Sequence, residues 1–90
     1  MAAKRDKLNI ILDILHTCVD GASKTNIVYQ ANLNFRTVTN YLDLLVDKGM
    51  IEVRQDSNVV YMTTKKGVSV MKELKSIRDD LEVSSSPRIR

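Results

Sequence analysis

Apolar residues along this chain recur at helical spacing in four stretches, and two short β-branched runs separate the third from the fourth. From Arg5 to Val19 the residues Leu8, Ile11, Leu12, Leu15 and Val19 recur at helical spacing, which predicts a first helix ended by Asp20-Gly21. Ile10 and Ile14 fall off that stripe and widen the apolar face, so this helix is expected to be covered on two sides. Ser23 suits the N-cap of a short helix over Lys24–Ala31, with Ile27, Val28 and Ala31 inward. Asn32-Leu33-Asn34 then reads as a turn, with Leu33 plugging the corner. Asn34 caps a third helix over Phe35–Lys48, whose core face is Val38, Tyr41, Leu42 and Leu45, and Gly49 stops it.

The period then falls to that of strands. Met50–Arg54 and Val59–Thr63 are rich in apolar and β-branched residues and flank the polar turn Gln55-Asp56-Ser57-Asn58, which predicts a β-hairpin. Thr64 is the expected N-cap of a last helix from Lys65 to about Glu82. Its apolar positions Val70, Leu74, Ile77 and Leu81 follow the four-three-four rhythm of a coiled-coil seam. The remaining SSSPRIR stretch has no apolar partner and reads as disordered. The expected division is a helix-and-hairpin domain over 4–64, a C-terminal dimerisation helix over 65–83 and a disordered tail over 84–90.

The fold class is therefore mainly α with a small β-hairpin: helix, helix, turn, helix, hairpin, helix. TVTNYLDLLVDKGMIEV followed by VVYMTTKKG resembles the winged helix-turn-helix regulators. Leu42, Leu45, Gly49 and Met50 meet that family's L-x-x-L-x-x-x-G-hydrophobic run, and Thr63, Thr64 and Gly67 meet its hydrophobic-T-x-x-G cap. The opening KRDKLNIILDIL with KTNIVYQANLNFRTVTNYLDLLVDKGMIE is similar to small archaeal winged-helix proteins. That resemblance implies a regulator or chromatin-associated factor whose last helix pairs as an antiparallel coiled-coil homodimer. It covers roughly residues 4–82.

Composition narrows the function classes. Ninety residues suffice for one small domain, and 43% apolar with 28% charged residues is ordinary for a globular chain. The net charge of +3 lies in the segment from Lys65 onward, with seven basic and four acidic residues. Residues 1–20 sum to zero. This is a weak nucleic-acid signal.

His16 and Cys18 are each the only residue of their kind and lack ligand spacing, so neither a metal site nor a cofactor is expected. No apolar run has the length of a membrane span, and the expected compartment is the cytoplasm, at the nucleoid. No catalytic constellation is present, and Ser84–Ser86 reads as linker. The chain is not expected to be an enzyme or to take a small-molecule substrate.

Double-stranded DNA is the expected partner. With Val38, Tyr41, Leu42 and Leu45 inward, Arg36, Asn40 and Asp43 turn outward, and Thr37 and Thr39 lie on the flanks. Arg forks onto guanine, Asn onto adenine, and Thr meets phosphate or a thymine methyl. Lys24 and Thr25 open the second helix, where free N–H groups suit a phosphate. The wing offers Arg54, Ser57 and Asn58, and Lys65 and Lys66 follow it.

Each of these has a plainer reading as solvated surface, and Asn34 suits a cap better than a base reader. Ile10, Ile14, Val70, Leu74, Ile77 and Leu81 are the expected dimer contacts, against the alternative that the seam packs on helix 1 of the same chain. Asp43 and Asp47 keep a rival function open, a winged-helix protein-interaction module without DNA binding.

Overall fold

The computed structural model describes residues 7–85, with side chains through Asp80. Its order is α1 (Lys7–Thr17), α2 (Lys24–Ala31), α3 (Phe35–Asp47), β1 (Ile51–Gln55), β2 (Val59–Thr63) and α4 (Lys65–Ser85). The expected architecture is present throughout. Lys4 and Arg5, where the first helix was expected to begin, lie outside the described residues, as do 86–90 of the expected tail. α4 continues past Glu82 to Ser85, closer to Pro87, whose ring disfavours helical backbone in the residue before it.

Local chemistry sets the boundaries. Ser23 Oγ accepts from the Asn26 N–H at 3.2 Å and starts α2. Asn32 closes that helix in the left-handed region, at φ 57°, where its short polar side chain is tolerated. Leu33 packs half-buried against the core in the corner it was expected to fill. Gly49, at φ 78°, lets the chain leave α3 and enter β1.

β1 and β2 pair antiparallel, Ile51 opposite Thr63 and Gln55 opposite Val59, so the loop at the tip is Asp56-Ser57-Asn58. Gln55 is thus a strand residue and not part of the turn. A third backbone segment joins this sheet. Ala22 and Tyr61 exchange N–H···O bonds at 3.0 and 2.8 Å, fastening the α1–α2 connection to the wing.

The core gathers Ile10, Ile14, Leu15 and Cys18 of α1 with Ala22, Ile27, Val38, Leu42, Leu45 and Ile51. Ile10 and Ile14 are 8% and 0% exposed, buried inside their own chain, which corrects their placement at a dimer contact. The inward direction of α1 is therefore turned from the expected stripe. Leu12 lies on its other side, where α4 brings Met71, Lys72, Lys75 and Arg78 alongside. Arg78 Nη1 donates to Asn9 Oδ1 at 3.4 Å across this contact. Both covered sides of α1 are thus served by the same chain.

α4 turns Gly67 and Met71 toward the body and leaves Val70 and Leu74 half-buried. Ile77 stands 51% exposed. The Leu81 side chain lies outside the described residues. Among the described residues no helix is long and apolar enough to cross a membrane.

Candidate nucleic-acid interface

α3 carries the exposed face. Its underside, Val38, Leu42 and Leu45, is fully buried, and the 3.6-residue period leaves Arg36, Asn40, Asp43 and Asp47 exposed on the opposite side. Thr37 and Thr39 sit half-buried on the two flanks. The helix start is fixed from within, because Asn34 Oδ1 accepts from the Thr37 N–H at 2.8 Å. Asn34 is a cap.

Charge runs down this face in one direction. Arg36 lies at the N-terminal end, whereas Asp43 and Asp47 follow about 10 and 16 Å further along the axis at ~1.5 Å per residue. A major groove is only about 8.5 Å deep. A helix entering it by its first two turns would insert Arg36, Thr37 and Asn40 and hold Asp47 outside. Among the described residues Arg36 has no ion-pair or hydrogen-bond partner.

The wing supplies less charge than its sequence suggests. Arg54 Nη2 and Nε meet Glu52 Oε2 at 3.0 and 3.2 Å, so the one cation of the hairpin already has an anion beside it. Both groups are well exposed, and such a pair is worth only about 0–1 kcal/mol in water. It can open toward a phosphate. Ser57 and Asn58 stand exposed at the tip.

Lys24 and Thr25 occupy the first turn of α2, Lys24 half-buried and Thr25 exposed. Lys65 is exposed at the start of α4, and Lys66 is drawn away from these groups. Both lysines lie at the base of the hairpin, and Lys66 Nζ donates to the Lys48 carbonyl at 2.9 Å, just beyond the C-terminal end of α3. That end is about 18 Å from Arg36 by helical rise. The Lys66 ammonium neutralises the negative end of the α3 dipole.

Two features were missed by sequence reasoning. Lys7, with Ile11, lines a shallow groove alongside Asn40, Tyr41 and Leu44, which puts a cation next to the exposed face of α3. The balanced charge of the first twenty residues concealed it. Phe35 is 52% exposed at the first position of α3, and Tyr29 on α2 is 80% exposed. Only the tertiary arrangement shows that these aromatics are left out of the core.

Among the described residues no group of three His, Cys, Asp or Glu side chains is placed to hold a metal ion. Cys18 is buried, and desolvation pushes its thiol up to about 11.

Known proteins share this arrangement. A winged helix-turn-helix family model matches residues 4–82. An uncharacterized protein of Methanocaldococcus jannaschii is 35% identical over 72 residues, 79% of this chain and 74% of that protein. A second from the same organism is 34% identical over 77 residues, but the chain spans only 35% of its length.

Among solved structures, Sso10a-2, a DNA-binding protein from Sulfolobus solfataricus, superposes with TM-score 0.72 and 28% identity. The match covers 96% of this chain and 100% of that one. A MarR family transcriptional regulator from Rhodococcus sp. RHA1 matches in fold, with TM-score 0.78 at 15% identity over 97% of this chain and 64% of that one. By the extent of the family match and the identity to these relatives, the chain belongs to the winged helix-turn-helix family.

Proposed function

We propose that this chain is a DNA-binding regulator or architectural protein that inserts the first two turns of α3 into the major groove. The observation that carries this reading is the exposed pair Arg36 and Asn40, with half-buried Thr37 beside them, at the capped end of α3 above a buried Val38-Leu42-Leu45 underside. Side chains on so rigid a helix reach base edges with little loss of freedom. Lys24, Thr25, Arg54, Ser57, Asn58 and Lys7 flank this set as phosphate contacts, with Thr39 beside them on α3. The described similarity to a DNA-binding protein at 28% identity over its whole length supports the same partner.

The working form in this reading is a homodimer joined through α4. Ile77 is exposed and Val70 and Leu74 retain surface, and pairing with a second copy covers them. Two-fold symmetry then offers two recognition helices to successive grooves. A DNA partner places the protein at the nucleoid, and no catalytic role is assigned to it. Residues 7–64 form the docking unit and α4 the dimerisation element.

The test is a fluorescence titration of mixed-sequence duplex at low salt, followed by selection from a random pool. An enriched motif marks a regulator, and tight binding without enrichment marks an architectural role. Absence of binding by the folded dimer would favour the protein-interaction reading, to which exposed Asp43, Asp47 and Phe35 lend a surface.

A further inference from the structure

The three backbone carbonyls that follow the recognition helix are all taken by the first turn of α4 and its cap. Lys48 O accepts from Lys66 Nζ at 2.9 Å, Gly49 O from Thr64 Oγ1 at 2.7 Å, and Met50 O from the Thr64 N–H at 2.9 Å. Thr64 Oγ1 also accepts from the Gly67 N–H at 3.0 Å, so one hydroxyl ties the exit of α3 to the entry of α4.

Gly67 is buried at this junction. A Cβ there would collide with the Met50 carbonyl oxygen and lie 2.6 Å from Thr63 Cγ2. Its glycine therefore serves close approach of two backbones rather than an unusual dihedral angle. The flexible alternative, a free linker between the two helices, is absent.

We propose that Thr64, Lys66 and Gly67 form a rigid joint that fixes the recognition helix of each subunit relative to α4. Through α4 the joint sets the separation of the two recognition helices in the dimer. In this role Lys66 is a positioning residue and makes no phosphate contact. The carbonyl it engages is at the end of α3 remote from Arg36, and its ammonium faces the backbone of its own chain.

The physical consequence is specific to two-headed binding. A loosened joint leaves each α3 intact and able to dock alone. It spreads the relative placement of the pair, and the second docking event then loses effective concentration.

This inference rests on the DNA-binding dimer reading, and the experiment separates the two. Wild type, Thr64→Val and Lys66→Met are titrated against mixed-sequence duplexes of about 12 and about 30 base pairs. Only the longer admits two recognition helices one helical turn apart. Wild type is expected to bind the longer duplex more tightly. Both variants are expected to lose roughly tenfold on the longer duplex while staying within about twofold of wild type on the shorter.

The Lys66→Met salt slope should equal that of wild type, because no phosphate contact is removed. A general loss of folding would weaken both duplexes equally, and a phosphate contact by Lys66 would lower the slope by about 1. Either result overturns the proposal, as does full retention of affinity on the longer duplex. Failure of wild type to bind either duplex, or equal binding to both, would overturn the underlying DNA or dimer reading as well. Gly67→Ala is the severe variant and is scored only if circular dichroism shows it folded.

Discussion

The side chain of Asn34 is engaged by the N–H of Thr37, 2.8 Å away, and so orients the recognition helix without touching anything outside the chain. The bond holds the helix end that carries Arg36. Asn34→Ala should cost about 1 kcal/mol of stability, or roughly 4–8 °C in Tm for a domain of this size. Thermal unfolding checks it, and an unchanged Tm would mean that the cap is dispensable.

A second bond, between elements far apart in sequence, is expected to matter for stability alone. Thr63 Oγ1 donates to the Leu15 carbonyl at 2.6 Å, and the Thr63 N–H donates to Cys18 O at 3.0 Å, so β2 closes the end of α1. Thr63→Val keeps the shape and removes the hydroxyl, leaving Leu15 O short of a donor. A loss of about 0.5–1.5 kcal/mol in urea unfolding is expected, with unchanged DNA affinity at a temperature where the variant is folded.

Much of this fold was legible in the chain because its local signals agree. Ser23, Asn34 and Thr64 cap the helices they were expected to cap, and Gly49 leaves α3 at positive φ. Other features depend on partners distant in sequence. Ala22 forms a single β-bridge only because Tyr61 meets it, and no periodicity marks one paired residue. Ile10 and Ile14 looked surplus because α1 has two apolar faces, and only the placement of α4 decides which face is which.

Gly67 matched a family motif, but its reason, contact with Met50 O, is tertiary. Lys66 shows the limit for the candidate site. A basic pair after a wing has the same sequence whether it meets phosphate or the end of a neighbouring helix.

Cys18 supplies a pH-dependent check on the core. Burial raises its thiol from the ordinary 9.0 to about 11. Below pH 9 the thiol is protonated in folded and unfolded chains alike, and stability is flat with respect to this group. Between pH 9 and 11 the unfolded thiol ionises and the folded one does not, so stability should fall as pH rises. At pH 8 a thiol reagent should modify native protein far more slowly than urea-unfolded protein. Equal rates would show that the core around Cys18 opens readily.

Ile77 tests the dimer. Because it is 51% exposed, its own subunit does not need it for folding. Ile77→Asp should leave the circular dichroism spectrum and the single-chain fold intact and move the sedimentation mass at tens of micromolar from two chains toward one. The same mass for variant and wild type would remove this face of α4 from the contact.

The central claim, that the capped end of α3 docks on DNA, is tested most directly by the salt dependence of duplex binding in wild type and Arg36→Ala. With Lys7, Lys24, Arg36 and Arg54 from each of two subunits on phosphates or bases, log affinity should fall against log salt with a slope of about −7. Arg36→Ala should weaken binding and make the slope shallower, whereas His16→Ala, on the far side of α1, should change neither. Equal effects of Arg36→Ala and His16→Ala, or no binding by folded wild type at low salt, would contradict the account.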